Sequence, residues 1–198
     1  MSDKQKLKGI NIMKWKCLKS EYVINDNWLK VRKDTVELPN GTIIKDYYVV
    51  EKKSVSLVVA MDNDNRVILT TEHKYPVNAL HIGLPGGTFD NENDNPLDVA
   101  KRELLEETGY ASNHWKSLGV VSEYTTKDTH KVHLFVAKDV YKVAEQKLDI
   151  TEEIKFEFVP LDKAVTMCIN NEIELAAGIV ALFKVFYESP LVQPHEIN

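Results

Sequence analysis

The 198-residue chain lacks several features that would narrow its function at once. It has no apolar run near the roughly 18 residues that a membrane span needs, and its first residues contain no apolar segment typical of a secretory signal. Its two cysteines, Cys17 and Cys168, follow no metal-binding or redox spacing. Basic residues form no cluster and the formal net charge is −5, which disfavours a nucleic-acid binder. The composition favours a reduced, cytoplasmic protein that uses neither nucleic acid nor a membrane.

The first fifty residues contain most of the signals for strands. Three segments rich in Val, Ile, Tyr and Trp predict strands over residues 13–24, 28–38 and 42–51. Asn40 and Gly41 form the strongest short signal for a hairpin between the last two. We therefore expect a small antiparallel sheet in front of the main domain, with boundaries at 1–52, 53–190 and a tail at 191–198.

The rest of the chain mixes strands and helices without a regular βαβ order. Residues 54–61 and 66–71 flank a polar turn and predict a second hairpin, and a loop is predicted over residues 80–95. Later strands are predicted over residues 115–124, 130–137 and 154–159, and helices over 162–170 and 173–187. This order predicts an α+β fold.

A helix in the middle of the chain has the clearest chemical signal. Asn95 is a good N-cap, Pro96 suits the first helical position, and Gly109 supplies the stop. Three carboxylates between these signals fall within about one 100° arc of the helix, namely Glu103, Glu106 and Glu107. Two interpretations remain open, a site for a hard divalent cation or a solvated acidic face. The preceding segment 84–87 contains two glycines that let the backbone approach a ligand, which favours a site.

The segment GGTFDNENDNPLDVAKRELLEETGY, residues 86–110, resembles the Nudix box, G-x5-E-x7-R-E-U-x-E-E-x-G-U, in which U is aliphatic or bulky and apolar. Its second half matches at every specified position, from Arg102 to Tyr110. The first half departs from the pattern. Asp94 stands where the box has Glu, and the loop between Gly87 and Asp94 has one extra residue. The resemblance implies a Nudix fold, a mixed sheet in an α/β/α sandwich, with Asp94 in a supporting role.

Segments outside the box are similar to ADP-ribose pyrophosphatases of that family, at residues 27–32, 38–41, 46–51, 73–77 and 159–164. This similarity implies divalent-metal-dependent hydrolysis of a nucleoside diphosphate sugar, with ADP-ribose leading and AMP and ribose 5-phosphate as products. It also implies a homodimer in which the N-terminal sheet of one subunit helps to form the site of the other. Residues 124–126 and Gly83 depart from the ADP-ribose pattern. Alternatives are therefore a hydrolase of another sugar nucleotide such as GDP-mannose, or a non-catalytic Nudix-like nucleotide sensor.

The resemblance assigns the metal site to the box. It implies Mg²⁺ or Mn²⁺ on Glu103 and Glu107, with Glu106 in the same shell and also catalytic, and with the Gly86 carbonyl as a further ligand. Arg102 is expected to orient a glutamate through its planar guanidinium.

Other roles fall outside the helix. The general base of the relatives comes from a late loop, where Glu152 and Glu153 stand, and we slightly favour Glu153, although a solvated loop charge is an equal alternative for each. Trp28 is expected to stack on the base of the nucleotide, or else to pack half-buried on its own sheet. Lys74 is expected to reach a phosphate, or else to be a surface lysine. Gly87 is assigned to substrate binding through its backbone.

Overall fold

The structure, a computed structural model, describes residues 13–189 and divides them into two compact units. Among these residues, the first unit contains 13–52 together with Tyr124–Thr129, and the second contains Lys53–Glu123 and residues 130–189. The predicted tail at 191–198 lies outside the described residues. No helix within residues 13–189 is long and apolar enough to cross a membrane.

The first unit is built on a three-stranded antiparallel sheet. Its strands are β1 (Lys16–Asn25), β2 (Lys30–Glu37) and β3 (Ile43–Glu51), in the spatial order β1-β2-β3. The turn between β2 and β3 contains Gly41, whose N–H donates to the carbonyl of Leu38 at 2.9 Å. The predicted N-terminal sheet and its hairpin are therefore confirmed.

The described part of the second unit contains nine strands and three helices. The strands are β4 (Val55–Ala60), β5 (Arg66–Lys74), β6 (Ala79–Gly83), β7 (Gly86–Thr88), β8 (Tyr110–Ala111), β9 (His114–Val121), β10 (Val132–Lys138), β11 (Tyr141–Lys142) and β12 (Lys155–Pro160). The helices are α1 (Pro96–Thr108), α2 (Leu161–Ile169) and α3 (Ala176–Glu188). A short 3₁₀ turn, Tyr75–Val77, follows β5.

Two sheets form the middle of the second unit. One has the order β7-β4-β10-β9, in which β4 and β10 are parallel and the other pairs antiparallel, and the other is the antiparallel sheet β12-β5-β6. The predicted hairpin between β4 and β5 is wrong, because the two strands belong to different sheets and share the isolated bridge Met61–Val67. Five of the six β4 residues are buried, which is typical of a strand with neighbours on both edges and layers on both faces.

Helices cover both faces of these sheets. Val58 and Ala60 of β4 pack in one apolar cluster with Leu104 of α1. The alternate β4 residues, Leu57 and Val59, pack in another cluster with residues of α2 and α3. Because successive side chains of a strand point to opposite faces, α1 lies on one side and α2 and α3 on the other. The predicted α+β fold with an α/β/α sandwich is confirmed.

Helix α1 begins and ends where its local signals predicted. Asn95 Oδ1 accepts a hydrogen bond from the N–H of Leu97 at 2.9 Å, which caps the first turn. Gly109 ends the helix with φ +76°, and its N–H donates to the carbonyl of Leu105. The predicted loop over residues 80–95 overlaps two short strands, β6 and β7, which its Gly and Pro content concealed.

Candidate active site

Two buried carboxylates on α1 face the short strand β7. Glu103 is 8% exposed and Glu107 is 5% exposed. The N–H of Gly86 donates a hydrogen bond to Glu107 Oε2 at 3.0 Å. A Cβ at Gly87 would lie 2.4 Å from the carboxyl group of Glu103, so only glycine lets that carboxyl group approach the backbone this closely. Strand β7 and helix α1 therefore hold the two carboxylates against one stretch of backbone.

The electrostatics of this pair favour a bound cation. Burial raises the pKa of Glu103 to about 7, and burial raises the pKa of Glu107 to about 8. The charge of Glu103 raises the pKa of Glu107 further, whereas the hydrogen bond from Gly86 opposes the shift. Two buried carboxylates that resist ionisation are stabilised by a hard cation, which takes oxygen ligands. The donor set thus fits Mg²⁺ or Mn²⁺.

Arg102 links the buried and the exposed acids of the helix. Its guanidinium lies 2.9 Å from Glu103 Oε1 and 3.0 Å from Glu106 Oε2. Glu106 is more open than the buried pair, with 37% of its side chain exposed. Within residues 13–189, no three His, Cys, Asp or Glu side chains are gathered closely enough to hold one metal ion. The buried pair offers carboxylate oxygens on two side chains, and a cation bound to them would need further ligands from the more open Glu106, the backbone, water or substrate.

Two acidic residues outside α1 raise the pKa of the buried carboxylates through their negative charge. The charge of Glu152 raises the pKa of both Glu103 and Glu107, and the charge of Glu72 on β5 raises that of Glu107. Glu152 Oε2 accepts a hydrogen bond from the N–H of Asp149 at 3.1 Å, whereas Glu153 is exposed. Sequence reasoning missed Glu72, because nothing in a strand pattern indicates which distant helix its last residues face.

A pocket of ≈450 Å³ opens beside β7 within the second unit. This size lies within the range of about 300–1,000 Å³ that is typical of small-molecule sites. Polar and backbone groups in its wall include those of Gly86, Gly87, Thr88, Glu72, Lys74, Glu123 and His130. Lys74 Nζ lies 2.5 Å from Glu72 Oε1, and its side chain is 48% exposed. The structure thus places Gly86, Gly87 and Lys74 in one cavity.

The remaining predicted residues lie elsewhere. Asp94 belongs to the turn before α1, where the N–H of Asn91 donates to its carboxylate at 2.8 Å and lowers its pKa. Trp28 is 92% exposed in the turn between β1 and β2, where Asp26 accepts its backbone N–H at 2.8 Å. The alternative of a half-buried strand tryptophan at this position is therefore wrong.

A second cavity, of ≈560 Å³, lies between β9 and α3. Its wall consists mainly of apolar side chains, and its carboxylate Glu188 is already paired with Lys116 at 2.7 Å. The other charged side chain in its wall, Lys184, donates to the carbonyl of Leu118 at 2.7 Å. Because both charged groups are engaged in these contacts, we do not assign the chemistry to this cavity.

Comparison with known proteins agrees with this geometry. Residues 15–50 match a family model described as a nucleoside diphosphate sugar hydrolase N-terminal domain. Residues 51–180, which include β7, α1 and the pocket, match a family model of the NUDIX domain.

Individual relatives match along most of the chain. A methanol dehydrogenase activator from Bacillus methanolicus is 28% identical over 168 residues, which cover 84% of this chain and 90% of the relative. An ADP-ribose pyrophosphatase from Bacillus subtilis (strain 168) is 26% identical over 161 residues, which cover 80% of this chain and 85% of the relative. The crystal structure of an ADP compounds hydrolase has the same fold, with a TM-score of 0.79 at 22% identity over 90% of this chain and 96% of that chain. The chain therefore belongs to the Nudix family.

Proposed function

We propose that the protein hydrolyses the diphosphate bond of a nucleoside diphosphate sugar with the help of a divalent cation, and that ADP-ribose is its leading substrate. Water adds to one phosphorus, the P–O–P bridge breaks, and AMP and ribose 5-phosphate leave. The observation that carries the proposal is the buried pair Glu103 and Glu107 against β7, beside a pocket of substrate size. The match of residues 15–50 to nucleoside diphosphate sugar hydrolases supports this substrate class, and the relative that is named an ADP-ribose pyrophosphatase supports ADP-ribose.

The box residues supply the cation site in this proposal. Glu103 and Glu107 would hold Mg²⁺ or Mn²⁺, with Glu106 and the Gly86 carbonyl as further ligands. When bound there, such a cation would supply charge neutralisation of the diphosphate, which otherwise repels the attacking water. Arg102 orients Glu103 and Glu106, consistent with its contacts to both.

Other residues bind the substrate and move the proton. Lys74 binds a phosphate as a point charge, and the Gly87 backbone approaches the diphosphate. For the general base we assign Glu152 over Glu153, because the charge of Glu152 acts on both buried carboxylates. This choice reverses the slight preference for Glu153 drawn from the sequence.

The exposed strand β1 of the first unit supports the proposal of a homodimer. All ten residues of β1 are exposed, including Leu18, Tyr22, Val23 and Ile24. An open strand with apolar side chains readily pairs with another protein surface. We propose that a second copy of the chain covers it, and that the exposed Trp28 stacks on the nucleotide base. The composition supports a cytoplasmic location, since the free cysteines Cys17 and Cys168 suit a reducing compartment.

The experiment is a substrate panel with the purified chain, Mg²⁺ or Mn²⁺, and detection of released phosphomonoesters. ADP-ribose, GDP-mannose, UDP-glucose, dinucleoside polyphosphates and NADH are compared, with and without EDTA. We expect ADP-ribose to be cleaved fastest and EDTA to stop the reaction. Faster cleavage of GDP-mannose would keep the reaction and change the substrate. Saturable nucleotide binding without cleavage would replace the hydrolase with a nucleotide sensor.

A further inference from the structure

A second polar pair lies in the pocket wall, on different elements from the buried acids. Glu123 follows β9 and His130 precedes β10, and His130 Nε2 lies 3.2 Å from Glu123 Oε2. His130 is 5% exposed, whereas 30% of the Glu123 side chain is exposed. Both residues line the pocket. A buried imidazole therefore fixes a carboxylate that still faces the cavity.

The strand register gives the position of this pair relative to β7. Val132 of β10 lies opposite Val55 of β4, and Val55 lies opposite Thr88 of β7. Neighbouring strands are about 4.8 Å apart, so β10 and β7 are about 10 Å apart at this end of the sheet. His130 precedes β10, and Glu123 follows β9, which is the next strand along the sheet. Because both residues share the pocket wall with β7, a sugar attached to a diphosphate at β7 would extend across the pocket toward them.

The chemistry of the Glu123 carboxylate determines which substrate groups it can bind. An ionised carboxylate accepts hydrogen bonds and cannot donate them, and it has lone pairs for about four. It suits the hydroxyl groups of a sugar and repels a phosphate. Val55 and Val132, which also line the pocket, reduce competition from water.

We infer that Glu123 binds hydroxyl groups of the substrate's sugar and that His130 is the residue that positions it. The inference rests on the proposed function and deepens it, because it assigns the sugar end of the substrate to the β9–β10 side of the pocket. The competing explanation is that the pair only closes the base of the segment 124–129, which lies between the two residues in the chain.

Two probes separate these explanations. One is ADP-ribose, and the other is the ethyl ester of ADP, which keeps the nucleotide and the diphosphate but has no sugar beyond them. In Glu123→Ala we expect kcat/KM for ADP-ribose to fall about 10- to 100-fold, mainly through KM, because a hydrogen bond to a charged group is lost. For the ethyl ester we expect a change below about twofold. Glu123→Gln keeps an acceptor oxygen and should recover part of the loss.

The His130 variants test positioning. His130→Gln keeps an N–H donor near Nε2 and should retain the preference for ADP-ribose, whereas His130→Ala should lose it through KM. The double variant Glu123→Ala/His130→Ala should be no less selective than Glu123→Ala, because the two residues act as one unit.

The outcomes are distinct. Equal losses for both probes, or a lower melting temperature with unchanged selectivity, would overturn the inference and leave the hydrolase proposal standing. A wild-type protein that cleaves neither ADP-ribose nor the ethyl ester under any metal condition, while the rest of the panel also fails, would overturn both proposals.

Discussion

The two units of the molecule bury their side chains in different ways. In the described part of the first unit, the buried apolar side chains are Val36 and Val49, and every residue of β1 is exposed. In the second unit, β4 is buried along nearly its whole length and helices cover both faces of the sheets. A three-stranded sheet with so little apolar burial is marginally stable alone. The second unit thus has the core that fixes the candidate site, whereas the first unit leaves apolar side chains of β1 exposed, on which the proposed homodimer rests.

The first sheet also contains a buried carboxylate, Asp34, that accepts hydrogen bonds from neighbouring side chains. Asp34 is 4% exposed on β2, and its carboxylate accepts hydrogen bonds from Arg32 at 3.0 Å and from Ser20 at 2.6 Å. Arg32 and Asp34 both lie on β2, whereas Ser20 lies opposite Asp34 on β1, so the hydrogen bond from Ser20 joins the two strands in this register. The following predictions test whether catalysis depends on the second unit and self-association on the first.

The largest effect is expected in the core of the second unit. Glu107→Gln should lower kcat by about 10³-fold, since loss of a cation ligand removes about 4 kcal/mol of transition-state stabilisation. Circular dichroism should show an unchanged fold. Asp98→Asn, on the exposed side of the same helix, is the matched control and should keep its activity. Near-normal turnover of Glu107→Gln would contradict the proposed site.

The next effect separates two neighbouring acids of the late loop. Glu152→Gln should lower kcat by at least about 10²-fold, because a general base contributes that much. Glu153→Gln is its matched control and should stay within about twofold of wild type. The reverse result would assign the base to Glu153 and refute our choice.

An intermediate effect is expected at the first sheet. Val23 is 50% exposed on β1 and Val120 is 52% exposed on β9 of the second unit, so the same substitution compares the two regions. Val23→Glu should weaken self-association at least about tenfold, because a charge would enter an apolar interface. Val120→Glu should leave it unchanged. Analytical ultracentrifugation measures both, and equal behaviour of the two variants would remove the distinction between the units.

The smallest effect is a pH dependence of stability. The unfolded chain releases the protons of Glu103 and Glu107 near pH 4.5, whereas the folded protein holds them to about pH 7 and 8. The folded state binds more protons in this window, so these groups lower the free energy of unfolding as pH rises from about 4.5 to 8. The melting temperature of the metal-free protein should fall by several degrees between pH 6 and 9.

Two comparisons isolate this contribution. Glu107→Gln should have a flatter slope of melting temperature against pH, because its side chain does not titrate. Mg²⁺ should raise the melting temperature of the wild type more at pH 9 than at pH 6, because protons no longer compete with the cation. Parallel slopes for both proteins would show that these acids titrate normally.

Local sequence signals predicted the bounds of helix α1 well. Asn95, Pro96 and Gly109 act within one turn of the backbone, so their effect needs no knowledge of the rest of the fold. The same holds for the hairpin at Asn40 and Gly41, where the turn itself determines the pairing of the strands.

Features that depend on distant partners were not predictable in this way. The strands β4 and β5 looked like a hairpin because a short polar turn joins them, but burial on both faces places β4 between β7 and β10. Glu72, Glu123 and His130 lie at strand ends and join the pocket only through the order of strands in the sheets. The order of strands in a sheet cannot be predicted from a local residue pattern.

The segment Tyr124–Thr129 is grouped with the first unit although most of that unit precedes residue 53. The N–H of Val50 donates to the carbonyl of Lys127 at 2.7 Å, and Tyr47 Oη donates to that of Thr126 at 2.9 Å. On the ribosome, the first sheet must therefore wait several seconds for these bonds, until the middle of the chain has been made. A fragment that stops at residue 52 would lack them permanently, so the amino-terminal sheet is poorly suited to transfer into another protein as a fusion module.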